Sequence, residues 1–105
     1  MKALKVFVTV PREHADAVRT AIGDAGGGQI GNYSFCSFSV VGIGRFKPER
    51  GAHPSIGEVG SLVAVEEEKI EFVCDPALLE VVVEAIRSVH PYEEPAIDAI
   101  SVEIF

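Results

Sequence analysis

The chain has 105 residues, 48% of them hydrophobic and 24% charged, with a formal net charge of -7, the size of one domain with a single core. Nine basic residues are scattered among 16 acidic ones with no aromatic-basic stripe, which argues against a nucleic-acid partner. No apolar run reaches bilayer-spanning length, so a cytoplasmic protein with no membrane partner is expected, its surplus of apolar side chains buried between subunits.

Leu4, Val6, Val8 and Val10 alternate with Lys5, Phe7 and Thr9, the period of a strand with one buried face and unlike a signal-peptide core. Pro11 then opens a helix, where its missing N–H costs nothing, and Val18, Ala21, Ile22 and Ala25 keep helical spacing until Gly26-Gly27-Gly28. Cys36, Phe38 and Val40 alternate with Ser37, Ser39 and Val41, which predicts a second strand with the former set on the greasier face. From Gly42 to Gly60, five glycines and two prolines accompany Arg45, Lys47, Glu49, Arg50 and His53. That composition predicts a protruding loop or extended ribbon.

Leu62 to Cys74 has the length of a strand bent or interrupted near Glu66-Glu67-Glu68, the glutamates reading as a solvated edge that discourages pairing. Asp75-Pro76 is a helix start in which the Asp carboxylate accepts from first-turn N–H groups. Leu78, Leu79, Val82, Ala85, Ile86 and Val89 form its apolar face, and Pro91 ends the helix by His90. Ile100, Val102 and Ile104 mark the last strand.

The halves echo each other: Phe7-Val8-Thr9-Val10-Pro11 leads into one helix and Phe72-Val73-Cys74-Asp75-Pro76 into the other. Two strand-helix-strand units in the order βαββαβ predict an α+β, ferredoxin-like sandwich over residues 1–105, an antiparallel sheet with both helices on one face. Phe7, Val41, Val63, Val73 and Phe105 fall on the other phase of their strands, so the outer face of the sheet is expected to meet another subunit.

Cys36 and Cys74 lack CxxC spacing and read as free thiols. His53, His90, Glu93 and Glu94 are the one set with metal-ligand chemistry, since imidazole and carboxylate suit zinc or a similar divalent ion. The simpler reading of His90 is a protonated ring that caps carbonyls at the C-terminus of its helix. Tyr92 reads as an anchor packing its ring under the loop, and the adjacent Glu93 and Glu94 point to opposite sides of an extended segment. Gly26 to Tyr33 has the composition of a phosphate-cradling turn without the Lys and Ser/Thr of a P-loop, and a helix stop with a tight turn is the favoured reading. Gly31, Asn32, Tyr33 and Ser37 nonetheless supply hydrogen-bonding capacity beyond a turn's needs and are candidate ligand contacts. His14, His53 and His90 are far apart and the serines show no elbow motif, so no nucleophile-base-acid constellation is assembled.

Gly26 through Tyr33, Cys36-Ser37-Phe38, Gly42-Ile43-Gly44-Arg45-Phe46-Lys47-Pro48, Gly51-Ala52-His53-Pro54-Ser55-Ile56-Gly57 and His90-Pro91-Tyr92-Glu93-Glu94-Pro95 occur in that order. Together they resemble the YqfO-type domain, which in larger bacterial proteins of the dinuclear-metal-centre hexameric, GTP-cyclohydrolase-like family is inserted between two metal-binding halves. The resemblance spans nearly the whole chain. It implies a fold similar to the PII proteins and to CutA, both trimers of ferredoxin-like subunits, CutA with a similar His-Pro-Tyr-Glu segment before its last strand. It also implies that Phe46 to Gly57 corresponds to the long loop by which PII proteins contact partners, while PII nucleotide-binding residues find no counterparts here. The metal-binding halves are absent, so their dinuclear centre and any hydrolase activity are not assigned to these residues. Ile97 stands where relatives tend to carry a tyrosine.

The expectation is therefore a non-enzymatic PII/CutA-like module, a homo-oligomer with the trimer favoured. It would bind a small molecule, or a divalent metal ion at His53, His90 and Glu93, and modulate a protein partner. Two alternatives stand beside it: a metal-dependent hydrolase using those three residues, and a structural interaction domain docking on a separate metal-centre protein.

Overall fold

The computed structural model describes all 105 residues. Strand β1 (Lys2–Pro11) is followed by a 3-10 turn and helix α1 (Ala15–Asp24); β2 (Phe38–Phe46) and β3 (Val63–Cys74) form a long hairpin; a second 3-10 turn leads into α2 (Leu79–Val89) and then β4 (Ile97–Glu103). All pairings are antiparallel, in the order β2-β3-β1-β4. This is the ferredoxin-like βαββαβ sandwich that the doubled pattern predicts.

Alternation decides what lies under the helices. Val6, Val8 and Val10 of β1 and Ile70, Phe72 and Cys74 of β3 face Ala15, Val18 and Ile22 of α1 and Val82 and Ile86 of α2, and these eleven residues make one core. Both helices begin through a 3-10 turn, and at the second the Asp75 side chain accepts from the Ala77 N–H at 2.9 Å, the expected cap. Pro11 does not open α1 itself but closes β1 with extended dihedrals. The second helix ends at Val89, His90 being extended before Pro91. Both cysteines are free thiols, Cys74 in the core and Cys36 half-buried.

Three expectations are corrected. Gly42–Phe46 is not loop but the second half of β2, because the partner strand is long enough to pair with it down to Phe46↔Val63. The phase of β2 is also reversed: Ser39 lies opposite core residue Ile70, which puts Val41 on the helix side and Phe38 and Val40 on the open side. Finally, β3 runs uninterrupted from Val63 to Cys74, and its glutamates are not a solvated edge: Glu67 and Glu68 are flanked by β1 and β2, Glu66 and Glu68 accept from Arg12 (2.8 Å) and Arg19 (2.6 Å) on the helix side, and Glu67 turns to the opposite face.

β1 reaches only as far as Glu67 along β3, so residues 63–66 pair with β2 alone and the hairpin projects beyond the helices. The domain is accordingly elongated, 46 × 24 × 22 Å. The sheet's other face carries no helix, and Phe7, Val63, Val73 and Ile100 lie on it, Ile100 among the exposed large hydrophobics.

The glycine run after α1 is a packing device. Gly28 has φ +76°, donates to the Val73 carbonyl and accepts from the Cys36 N–H (both 2.8 Å), and an added Cβ would stand 2.3 Å from the Cys36 oxygen. Gly28→Ala is expected to destabilise the fold by roughly 2–4 kcal/mol in urea denaturation, from strain plus overlap. Gly42→Ala, where the added Cβ meets nothing within 4 Å, should stay within about 0.5 kcal/mol of the parent.

Candidate ligand-binding site

Where β1 stops short of the hairpin, the segment from His90 to Ala96 crosses from the helix side of the sheet to the open side. Its first anchor is His90, 7% exposed, whose Nε2 lies 2.8 Å from the Thr9 carbonyl while Nδ1 accepts the Tyr92 N–H at 3.1 Å. A carbonyl can only accept and a backbone N–H can only donate, so the ring is neutral with its proton on Nε2. Burial, the largest effect, lowers its pKa below the ordinary 6.5 despite the opposing bond to Thr9 and the nearby Glu67. His90 thus ties its connector to β1 and does not cap its own helix as a cation, which corrects the helix-cap expectation.

The second anchor is Tyr92. Its ring stands edge-on to Phe46 with centroids 5.6 Å apart and lies beside His90, and its hydroxyl donates to Glu67 Oε2 at 2.7 Å. Burial, then the bond to Glu67 and that carboxylate's charge, raise the phenol's pKa, so it remains a donor. Glu67 is only 5% exposed, although it is on the face without helices. Room for its carboxylate comes from Gly44, where a Cβ would stand 2.0 Å from Oε1.

Past this network the loop after β2 curls back towards the connector, and Glu93 accepts the His53 N–H at 2.7 Å. Hairpin, loop and connector enclose a cavity of about 950 Å³ whose walls include Gly42, Gly44, Phe46, Glu67 and Tyr92. Its size suits a small-molecule ligand.

The residues singled out from sequence fall in different places. His53 and Glu93 meet, but through the backbone of the former, and both ring nitrogens of His90 are taken. No three His, Cys, Asp or Glu side chains gather as a metal-holding group. Gly31 and Asn32 form the turn of a two-residue hairpin closed by mutual bonds between Ile30 and Tyr33 (2.9 Å each), and with Tyr33 and Ser37 they are exposed and line no part of the large cavity. The N–H groups of Gly26, Gly27 and Gly28 are all bonded to carbonyls, so none converges on an anion. Sequence reasoning missed Glu67. The available signal was an isolated Gly42-x-Gly44 in a strand that must pass close to something bulky.

The network fixes the pH response. A neutral buried His90 contributes stability that is complete above the unfolded-state pKa near 6.5 and is lost as pH falls towards its lowered folded value. Unfolding free energy should therefore decline below about pH 6.5, and His90→Gln should flatten that part of the profile. Tyr92→Phe leaves the Glu67 carboxylate without its donor and should cost about 1–3 kcal/mol, read by denaturant titration at pH 7.

No family model matches the chain. Among curated proteins, the GTP cyclohydrolase 1 type 2 homolog of Halalkalibacterium halodurans is 52% identical over 94 residues, 90% of this chain and 25% of the relative. Its Bacillus subtilis counterpart is 50% identical over 99 residues, 94% of this chain and 26% of the relative. The chain spans about a quarter of the length of the curated relatives it matches. Among solved structures, a Bacillus cereus protein related to NIF3 superposes with TM-score 0.85 at 44% identity, over 98% of this chain and 26% of that one. The periplasmic divalent cation tolerance protein CutA of Archaeoglobus fulgidus superposes with TM-score 0.70 at 17% identity, over 100% and 87% of the two chains, a likeness of fold alone. About half of its residues identical over nine-tenths of its length, in a shared fold, make this chain homologous to one quarter of the GTP cyclohydrolase 1 type 2 homolog proteins.

Proposed function

We propose that this domain is a non-enzymatic, homo-oligomeric cytoplasmic module that binds a small molecule in the cavity between hairpin and connector and passes its occupancy to a protein partner. The observation that carries this reading is the 950 Å³ cavity itself, floored by a buried carboxylate and walled by a glycine-bearing strand and a loop rich in turns. Gly51, Gly57 and Gly60 in that loop all have positive φ, conformations a glycine adopts without strain. A loop of that make-up can change shape over a filled cavity, and its outer surface is the natural reporter of ligand.

The activity in the relatives' name belongs to proteins about four times as long. The tyrosine–glutamate pair at the cavity floor holds its proton on the phenol, which suits binding better than proton transfer.

Oligomer formation is supported by the open sheet face. Phe7, Val73 and Ile100 lie near one another on this face, which carries no helix, and a second copy supplies matching chemistry. Sedimentation equilibrium should report a trimer at micromolar concentration, and Phe7→Asp combined with Ile100→Asp should yield monomers with unchanged helix content by circular dichroism. A parent protein that sediments as a monomer would remove the oligomer from this reading.

A further inference from the structure

The cavity contains one group that the protein leaves half-matched. Glu67 accepts from Tyr92 at Oε2, yet Oε1 has no donor, and none of the six ion pairs of the domain involves this residue. Every side-chain polar atom fully removed from solvent has a partner, so the unmatched Oε1 keeps its remaining exposure towards the cavity. Glu67 as a residue is only 5% exposed, and a carboxylate so far withdrawn from bulk water loses hydration that a donor can replace.

Geometry narrows what that donor is. Gly42 lies directly opposite Glu67 in the β2–β3 register, and a Cβ there would meet nothing within 4 Å, so a window opens beside the carboxylate. The rings of Phe46 and Tyr92 border the same space and offer aromatic surface to a flat, delocalised head. A divalent ion fits poorly: it seeks six or more oxygen ligands, and no three His, Cys, Asp or Glu side chains gather here to hold one. Arg50, in the loop that lines the cavity, forms no ion pair, whereas Lys47 is engaged with Glu49 at 3.6 Å and Arg45, opposite Ala64, lies on the helix-side phase of β2.

We propose that the cavity recognises a metabolite with a planar pair of N–H donors of the guanidine kind, received by Glu67, and an anionic group received by Arg50. This rests on the cavity being the ligand site. The same head chemistry comes from two sources, the guanine edge of a nucleotide and the guanidinium of an arginine-like amino acid, the first carrying a phosphate and the second an α-carboxylate beside its ammonium.

Calorimetric titration of the intact domain with two matched pairs separates them: GMP against IMP, which lacks the exocyclic amine, and arginine against citrulline, its neutral isostere. One donor-bearing member should bind at least about tenfold tighter than its partner, because a buried acceptor rejects an analogue that leaves it unmatched. Glu67→Gln should abolish the preference. In the unmutated protein the Glu67 carboxyl carbon resonance should move with the preferred probe and not with its analogue, a readout that needs no variant to fold. No preference in either pair, or one that survives Glu67→Gln, overturns the assignment of the head to Glu67. If a probe binds without preference and Gly42→Val removes that binding at unchanged melting temperature, the cavity stands as the site and only the head assignment falls. Undiminished binding in Gly42→Val overturns both.

Discussion

Glu67 sets the terms for the projecting end of this domain. A carboxylate on a central strand, almost wholly removed from water and without a cationic partner, is tolerable only if donors are brought to it and space is left around it. Gly44 leaves the space and Tyr92 brings the donor. Tyr92 in turn is held because its N–H bonds to His90, whose ring is fixed on the Thr9 carbonyl. The chain of contacts therefore runs from β1 through the connector to β3, and removing any one member leaves a buried polar group unmatched. Such coupled networks are worth more than their bonds counted singly. They also hold an open cavity open, since the connector cannot settle onto the sheet without breaking its own anchors.

The same strand uses its three consecutive glutamates in two directions. Glu66 and Glu68 meet Arg12 and Arg19, which fasten the start of α1 to the hairpin, and the Arg19–Glu68 pair, largely shielded from solvent, contributes more than the exposed Arg12–Glu66 pair. Glu67 faces the cavity. Alternation along one strand thus joins the packing of the first helix to the floor of the site, so the position of the hairpin relative to the body and the position of the carboxylate are fixed together.

Local signals carried most of the architecture. The Asp75-Pro76 junction, the apolar stripe of α2 and the stop at His90-Pro91 follow from propensity and spacing and stand as read, while at the first junction Pro11 closes β1 and the helix starts four residues on. The phase of β2 and the continuity of β3 did not follow, because both are consequences of register. Val41 next to Val40 gives no internal hint of which faces the helices, and only the opposition of Ser39 to Ile70 decides it. Glu66-Glu67-Glu68 reads as a solvated run until Arg12, Arg19 and Tyr92, 25 to 54 residues away, are seen to meet it. The His90 to Pro95 segment was legible as a connector of special make-up. That its histidine would be neutral and bound to Thr9 depended on a contact spanning 81 residues.

The homology places this domain in one quarter of a longer protein type, and the cavity is built entirely from residues of that quarter. Its capacity to bind is therefore testable on this chain alone. The most direct measurement is an amide NMR titration with GMP and with arginine. The account predicts the largest shifts at Gly42, Gly44, Glu67 and Tyr92, with Gly31 and Asn32 unmoved. Shifts confined to the Gly31–Ser37 hairpin, with the cavity residues unchanged, would contradict it.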